Sequence, residues 1–262
     1  MIRVQNLVKE FGEIKAVRDI SFNVEQGEIF AFLGPNGAGK TTTIKMLTTL
    51  LRPTSGTVEL DGLDPTVHHN EARQRFGIVF QDASLDDELT AYENMDFHGV
   101  LYHVPRKLRI DRIEMLLKLF ELWERRNHRV KQFSGGMRRR LEIARGLLHT
   151  PKIIFLDEPT LGLDPQTRNQ LWTHVKRLNV EERVTVFLTT HYMEEAERVA
   201  HRIAIIDHGR IVAQGSPLEL KQQTNAETLE QAFLALTGSE IRDEDASSID
   251  QMRNVAKMFR RK

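Results

Sequence analysis

A glycine-rich stretch near the start of the chain has the residue types and the spacing that bind phosphate. Residues 34–41 are Gly-Pro-Asn-Gly-Ala-Gly-Lys-Thr and satisfy the pattern G-x-x-x-x-G-K-[ST]. Glycine lets a backbone turn tightly and point its N–H groups at an anion. Lys40 would place a positive charge beside the β- and γ-phosphates, and the Thr41 hydroxyl is suited to ligate Mg²⁺. The stretch therefore predicts a site for a nucleoside triphosphate with its magnesium ion.

An apolar run before the loop and a periodic pattern after it predict the elements that hold it. Residues 29–33 form a short continuous apolar run, which is typical of a buried strand. After the loop, a helical pattern of apolar residues comprises Ile44, Leu47, Leu50 and Leu51 and stops at Pro53. We expect the N-terminus of this helix to face the phosphates. The predicted nucleotide-binding residues of the loop are Gly34, Pro35, Asn36, Gly37, Ala38, Gly39, Lys40, Thr41 and Thr42.

Two adjacent carboxylates follow a second apolar run. Residues 153–156 are Ile-Ile-Phe-Leu, and Asp157 and Glu158 come next. A buried strand would deliver Asp157 at its carboxyl end, where it would hold Mg²⁺ through water beside Thr41. Glu158 would orient and deprotonate the water that attacks the γ-phosphorus. Taken alone, two adjacent carboxylates could simply form an acidic turn at the surface. The presence of a phosphate-binding loop in the same chain favours the catalytic role.

A second helix start with open N–H groups is predicted at Ser134. Serine is a good N-cap, and the apolar face of the following helix comprises Met137, Leu141, Ala144 and Leu148. Gly135 and Gly136 leave the first N–H groups accessible to an anion. Residues 34–41 already provide the phosphate site that one chain needs, so a second one is surplus. We therefore expect this helix start to cap a nucleotide held by another copy of the chain.

The remaining pattern alternates strands with helices, which predicts a parallel sheet covered on both faces. Further strands are predicted at residues 1–8, 14–24, 58–60, 78–80 and 184–188, and a closing hairpin at 203–206 and 210–212. Helices are predicted at 92–101, 108–122 and 166–178, the first two in a helical insertion. His68 and His69 are interpreted as a loop rather than a metal site, and residues 138–140, three arginines, as a solvated or partner-facing surface.

Composition excludes several classes of protein. Lys and Arg together number 37, as do Asp and Glu, so the formal net charge is zero, which argues against a general nucleic-acid binder. The chain has no cysteine, which excludes disulfides, thiolate catalysis and cysteine-ligated metal centres. Its apolar runs are all shorter than the roughly 18 residues that cross a bilayer, so work at a membrane is expected to need a partner chain.

Taken together, these patterns resemble the ATP-binding cassette (ABC) ATPases over residues 1–222. The loop, the Ser-Gly-Gly helix start and the Asp157–Glu158 pair occur in that family's order. The resemblance implies a P-loop NTPase core of the α/β class with a mixed sheet, an N-terminal antiparallel β subdomain and an inserted helical subdomain at about 82–150. Residues 223–262 are expected to form a polar, partly helical C-terminal extension.

The resemblance also implies roles for individual residues. Phe11 would stack on adenine, Gln81 would sense Mg²⁺ and couple to a membrane partner, and Asp164 lies in the expected dimer-contact loop. His191 would contact the γ-phosphate, and Lys40 and Glu158 complete the expected catalytic set. Several segments, among them residues 80–82, 84–90 and 189–196, are similar to the daunorubicin-resistance branch of bacterial exporters.

The resemblance therefore implies an ATP-hydrolysing subunit that uses ATP and Mg²⁺ to power export of a drug-like or lipophilic compound. Its expected partners are a second copy, joined through two shared ATP molecules, and a separate membrane permease at the cytoplasmic face of the membrane. No nucleic-acid partner is expected. A soluble cassette ATPase acting on nucleic acid, the ribosome or cofactor assembly is the alternative. A small-molecule kinase or a GTPase is disfavoured, because neither needs the Ser-Gly-Gly helix start and a guanine-reading N-K-x-D is missing.

Overall fold

A computed structural model describes residues 1–82 and 84–238, and within these residues the chain forms nine strands and nine α-helices. The strands are β1 (Ile2–Phe11), β2 (Ile14–Val24), β3 (Ile29–Leu33), β4 (Ser55–Leu60), β5 (Phe76–Val79), β6 (Ile153–Asp157), β7 (Thr185–Thr190), β8 (Arg202–Asp207) and β9 (Arg210–Gly215). The helices are α1 (Lys40–Leu47), α2 (His69–Arg75), α3 (Ala91–Leu101), α4 (Arg106–Leu119), α5 (Gly135–Gly146), α6 (Pro165–Glu182), α7 (Met193–Val199), α8 (Pro217–Thr224) and α9 (Leu229–Thr237).

The strands form two sheets. The larger has the order β5-β6-β7-β3-β8-β9, with parallel pairing from β5 to β8 and an antiparallel β9 at the edge. The smaller is antiparallel, with the order β2-β1-β4. The mixed sheet and the N-terminal antiparallel subdomain are therefore confirmed. The carboxyl ends of β6, β7 and β3 are neighbours, so the loops that follow these strands share one edge of the sheet.

Successive side chains of β3 point to opposite faces of the large sheet and contribute to two different hydrophobic cores. All five residues of β3 are buried, as expected of a strand covered on both sides. Ile29, Ala31 and Leu33 pack with the helices of one face. Phe30 and Phe32 face the smaller sheet, where the ring of Phe30 stacks on that of Phe22 at 5.6 Å between centroids. The strand that leads into the phosphate-binding loop is thus packed on both faces, by a different hydrophobic core on each.

Helices α3 and α4 form the inserted helical subdomain. Thr90 and Glu93 form a reciprocal capping box at the start of α3. Residue Glu121 has a left-handed φ of 57°, so α4 ends at Leu119 and not at the predicted residue 122. Left-handed φ also shortens α1, which ends at Leu47 because Thr49 has φ 64°, although the apolar pattern continues to Leu51.

One further sequence interpretation is wrong, and the start of the predicted C-terminal extension is helical. His69 lies in helix α2 and not in a loop. The start of the predicted polar extension, by contrast, packs on the domain, because α9 buries Leu229 and Ala232. The rest of that extension, residues 239–262, lies outside the described residues. None of the helices in the described part of the chain is both long and apolar enough to span a membrane.

Candidate functional site

The phosphate-binding loop connects β3 directly to α1. Gly39 is the N-cap of α1 with φ 108°, and no side chain caps this helix end, so its first N–H groups remain available to an anion. A Cβ at Gly39 would lie 2.6 Å from the carbonyl oxygen of Ala16 on β2. Glycine is required here both by the backbone conformation and by this close approach. The β1–β2 hairpin therefore holds the loop from one side.

Lys40 is buried inside the loop that precedes it. Its Nζ donates to the carbonyl oxygens of Gly34 at 2.7 Å and Pro35 at 3.2 Å, and lies 3.8 Å from Oε1 of Glu158. Burial lowers the pKa of Lys40, and the carboxylates of Glu158 and Asp157 oppose this effect. The ammonium group is therefore held where a phosphate on the loop would meet it.

Asp157 ends β6 with its carboxylate buried between two hydroxyl groups. Thr189 on β7 donates to Asp157 Oδ1 at 2.6 Å, and the Thr41 side chain also hydrogen-bonds to this carboxylate. Burial raises the pKa of Asp157, and the bond from Thr189 opposes that shift. A hydroxyl and a carboxylate are oxygen ligands of the kind that Mg²⁺ prefers, so Thr41 and Asp157 fit the predicted metal site.

Glu158 has an unusual backbone conformation that directs its side chain into the same site. Its φ is 47°, and its N–H group donates to both the carbonyl oxygen and the hydroxyl of Thr189. Its carboxylate is buried, with Oε2 at 2.9 Å from Nδ1 of His191. His191 follows β7 and keeps its side chain 40% exposed. The structure thus brings together Lys40, Thr41, Asp157, Glu158 and His191 from three loops at one edge of the sheet.

The Ser-Gly-Gly helix start lies beside Asp164, in a second group of predicted site residues. Ser134 caps α5 by accepting from the N–H group of Met137 at 3.3 Å. Asp164 caps α6 and accepts from Thr167, from its N–H group at 3.0 Å and from its hydroxyl at 2.5 Å. A Cβ at Gly136 would lie 2.5 Å from Cγ2 of Thr167, so the two helix starts are in close contact. They form one surface of the chain.

Phe11 and Gln81 lie at the rim of this arrangement. Phe11 is 40% exposed at the end of β1, and the ammonium group of Lys9 lies 5.0 Å from its ring centroid. Phe11 pairs with Ile14 on β2, and Ala16, two residues further along β2, contacts the phosphate-binding loop at Gly39. The exposed part of the Phe11 ring is accessible to a ligand. Gln81 is exposed and follows β5, whose last residue pairs with the residue before Asp157. Their predicted roles remain predictions.

Comparison with known proteins identifies the family. Residues 17–161 match the ABC transporter family. The chain belongs to the ABC transporter family. It is 45% identical over 228 residues to the daunorubicin/doxorubicin resistance ATP-binding protein DrrA of Streptomyces peucetius, across 87% of this chain and 69% of that protein. It is 40% identical over 229 residues to the linearmycin resistance ATP-binding protein LnrL of Bacillus subtilis, across 87% of this chain and 73% of that protein.

Solved ABC structures have the same fold. An ATP-binding subunit of an ABC transporter superposes with a TM-score of 0.82 at 28% identity, covering 90% of this chain and 99% of that one. A dimeric bacterial ABC transporter cassette superposes with a TM-score of 0.75 at 32% identity, covering 82% and 98%. The predicted ABC ATPase fold, membership of the drug-resistance branch and function as the ATP-hydrolysing subunit of an ABC transporter are confirmed.

Sequence reasoning missed one contributor to this ABC site and misjudged another. Thr189 binds both Asp157 and Glu158, but a threonine in a β-strand carries no sequence signal for that role. The interpretation of residues 138–140 as a solvated or partner-facing surface is wrong for Arg139, which is 8% exposed and bonded to the backbone of Glu158 in its own chain. Successive residues on a helix point about 100° apart, so three consecutive side chains cannot all face solvent.

Proposed function

We propose that this ABC subunit powers export of a drug-like or lipophilic compound by closing as a homodimer around two ATP molecules with Mg²⁺. The observation that carries the proposal is the convergence of Lys40, Asp157, Glu158 and His191 at the end of the phosphate-binding loop, with the nearest carboxylate oxygen of Glu158 at 3.8 Å from Lys40 Nζ. A loop that binds phosphate and a carboxylate that can accept a proton are the two parts that ATP hydrolysis requires.

In the proposed reaction, each residue has one task. The N–H groups of the loop and the Lys40 ammonium bind the β- and γ-phosphates and stabilise charge that develops during transfer. Thr41 and Asp157 would hold Mg²⁺, with Gln81 as a further predicted ligand. Bound there, the ion would neutralise phosphate charge. Glu158 accepts the proton of the attacking water.

His191 completes this set from the other side of Glu158. Its Nδ1 lies 2.9 Å from Glu158 Oε2, so it fixes the direction of the carboxylate. The side chain is 40% exposed, which leaves the rest of the ring accessible to a γ-phosphate. We therefore assign His191 to the γ-phosphate contact and to the orientation of Glu158.

The position of the second group of site residues supports the proposed homodimer. Ser134 and Gly135 are exposed, and a Cβ added at Gly135 meets nothing within 4 Å. The start of α5 therefore offers free N–H groups to a ligand that comes from outside the chain. In the proposed dimer, this surface and Asp164 cover the nucleotide on the loop of the other copy. The γ-phosphate then supplies contacts that exist only in the closed pair, so ATP binding shifts the population toward closure.

A permease partner is supported by apolar surface on the helical subdomain. Phe97, Val100 and Leu101 at the end of α3 are 60%, 49% and 58% exposed. The segment from Gln81 to about Gly99 is the permease contact that we propose; Phe97 lies within it, and Val100 and Leu101 directly follow it. An exposed apolar cluster of this kind marks an interaction site. The relatives named above are resistance proteins by name, which favours export over the soluble alternative. We place the subunit at the cytoplasmic face of the membrane, bound to that permease.

The substitution Glu158→Gln tests the catalytic assignment. It keeps the shape of the side chain and removes the base, so we expect ATP hydrolysis to fall by about 10²–10⁴-fold while ATP binding persists and the dimer accumulates. Rates come from phosphate release, binding from a fluorescent ATP analogue and dimerisation from size-exclusion chromatography with ATP. Glu181→Gln, an exposed change on α6, serves as the control. Wild-type hydrolysis by Glu158→Gln would show that Glu158 is not the base.

A further inference from the structure

Arg139 uses every N–H group of its guanidinium to bind the backbone around the catalytic carboxylates. It lies on α5, four residues after Gly135, and is 8% exposed. Its Nε donates to the carbonyl oxygen of Pro159 at 2.8 Å, and Nη2 donates to those of Asp157 at 2.8 Å and Glu158 at 3.0 Å. Three consecutive peptide carbonyls, the first on the last residue of β6, are thus bound by one side chain.

The same guanidinium also holds the chain that follows β5. Nη1 donates to the carbonyl oxygen of Phe80 and, at 3.0 Å, to Oε2 of Glu142 one turn further along α5. Glu142 in turn accepts from the N–H group of Ser84 at 2.9 Å through its other oxygen. Phe80 and Ser84 flank the predicted permease-contact residue Gln81. All five donors of Arg139 are therefore satisfied, which a lysine with three donors could not reproduce.

These contacts surround a backbone conformation that needs support. Glu158 has φ 47°, a left-handed conformation that costs a non-glycine residue on the order of 1–3 kcal/mol unless its surroundings stabilise it. On one side, the N–H group of Glu158 is bound by Thr189; on the other, its carbonyl oxygen is bound by Arg139. With both ends of the residue fixed, its side chain reaches toward Lys40 and His191.

We propose that Arg139 is a positioning residue for ATP hydrolysis, which holds the backbone of Glu158 in the orientation that points its carboxylate at the attacking water. Because the same guanidinium binds Phe80, it also joins Glu158 to the segment that carries Gln81. One side chain therefore joins α5, the end of β6 and the end of β5. This inference rests on the proposed role of Glu158 as the general base.

The experiment uses the full chain and three variants that replace Arg139. Arg139→Gln removes the guanidinium, and Arg139→Lys keeps the charge but lacks the planar fork of donors. Arg139→Gln/Glu142→Gln removes both charges, so no buried charge is left unpaired, and it replaces the single variant if that one does not fold. Each is also made in the Glu158→Gln background. The measurements are kcat, KM for ATP, ATP binding and Tm.

Two controls separate a positioning role from a purely structural one. Arg138→Gln removes the neighbouring charge on α5, whose partner is the exposed Asp87. Asn179→Ala removes another buried side chain that binds two backbone carbonyls, those of Gly27 at 2.9 Å and Val184 at 2.8 Å, away from the site. Asn179→Ala should lower Tm with kcat unchanged when assayed well below its Tm, and Arg138→Gln should keep the wild-type basal rate.

For Arg139→Gln and the double variant, we expect kcat to fall by about 10- to 100-fold with KM and ATP binding nearly unchanged, because a displaced base costs rate and not affinity. Arg139→Lys should not restore the rate. In the Glu158→Gln background the same changes should have little further effect on single-turnover hydrolysis, since both act through one group.

Three results would overturn the proposal. The first is a wild-type kcat in Arg139→Lys or in the double variant beside an inactive Glu158→Gln, which would remove the positioning role but leave the proposed base. The second is a further loss of equal size in the Glu158→Gln background, which would show that Arg139 acts independently of Glu158. The third is wild-type hydrolysis by Glu158→Gln itself, which would refute the proposed base and this inference with it.

Discussion

Two adjacent glycines at the start of α5 allow the shared nucleotide site to be tested separately from folding. Gly135 is exposed, its φ is not left-handed, and a Cβ there meets nothing within 4 Å. Alanine at such a position stabilises a protein by about 0.4–1 kcal/mol because it reduces the freedom of the unfolded chain. For a domain of this size the Tm should rise by roughly 1–4 °C.

The expected effect of Gly135→Ala on catalysis has the opposite sign. In the proposed dimer the first N–H groups of α5 bind the phosphate of the other chain, and a methyl group would stand between them. Losing one hydrogen bond to a charged group costs about 1.5–3 kcal/mol, which corresponds to a fall in kcat/KM of roughly 10- to 150-fold. A protein that is more stable and far less active would show that Gly135 faces a ligand from outside its own chain.

Gly136→Ala is the matched comparison. Its Cβ would lie 2.5 Å from Cγ2 of Thr167, so Thr167 must move and its bonds to Asp164 are disturbed. We expect a loss of about 1–3 kcal/mol in the free energy of unfolding together with the loss of activity. Thermal unfolding and phosphate release, measured at several subunit concentrations, provide both readouts. If Gly135→Ala hydrolysed ATP at the wild-type rate, the proposed cap across the second nucleotide would be refuted.

Two further predictions concern buried groups. Thr189→Val removes the hydroxyl that donates to the buried Asp157 at 2.6 Å, so the free energy of unfolding in urea should fall by about 1.5–3 kcal/mol; a loss below about 0.5 kcal/mol would contradict the reasoning. Burial lowers the pKa of His149 to about 4 from 6.5, so stability present above pH 6.5 is lost as the pH falls toward 4. Between pH 6.5 and 5 this loss is about 1.6 kcal/mol, and in urea titrations the pH dependence of His149→Gln should be weaker than that of the wild type by this amount; parallel pH curves for the two proteins would exclude the effect.

The sequence predicted the parts of the site that depend on local pattern. The apolar runs before residue 34 and before Asp157 are strands β3 and β6, and the glycine-rich stretch between β3 and α1 is a loop, because these features are set by neighbouring residues. What could not be predicted depends on strand register. Asp157 lies opposite Thr189 only because β6 pairs with β7 in one register among several that their apolar sequences would permit.

The same distinction applies to backbone conformation. The left-handed φ of Thr49 ends α1 early, and that of Glu158 aims a catalytic side chain, yet neither residue type favours this conformation. Glu158 is held in this conformation by contacts from Thr189 and Arg139, and the hydroxyl of Thr49 accepts from Arg73 Nε at 2.9 Å. Periodicity therefore predicts which elements exist, but it does not predict where contacts from elsewhere in the chain stop or bend them.

The charges of the catalytic loops support the proposal that the nucleotide site is complete only in the dimer. Lys40 supplies one buried ammonium group, and Asp157 and Glu158 place two buried carboxylates against it. A bound nucleoside triphosphate would add further negative charge beside these carboxylates. The resulting repulsion is strong at low dielectric and opposes binding unless positive charge is added as well. Thr41 and Asp157 can recruit it as a divalent cation, and the N-terminus of a partner's α5 adds the positive end of a helix dipole. Closure of the dimer would thus supply positive charge that one chain lacks for binding the triphosphate. Hydrolysis removes the γ-phosphate and its negative charge, so the closed dimer would lose the contacts that stabilise it.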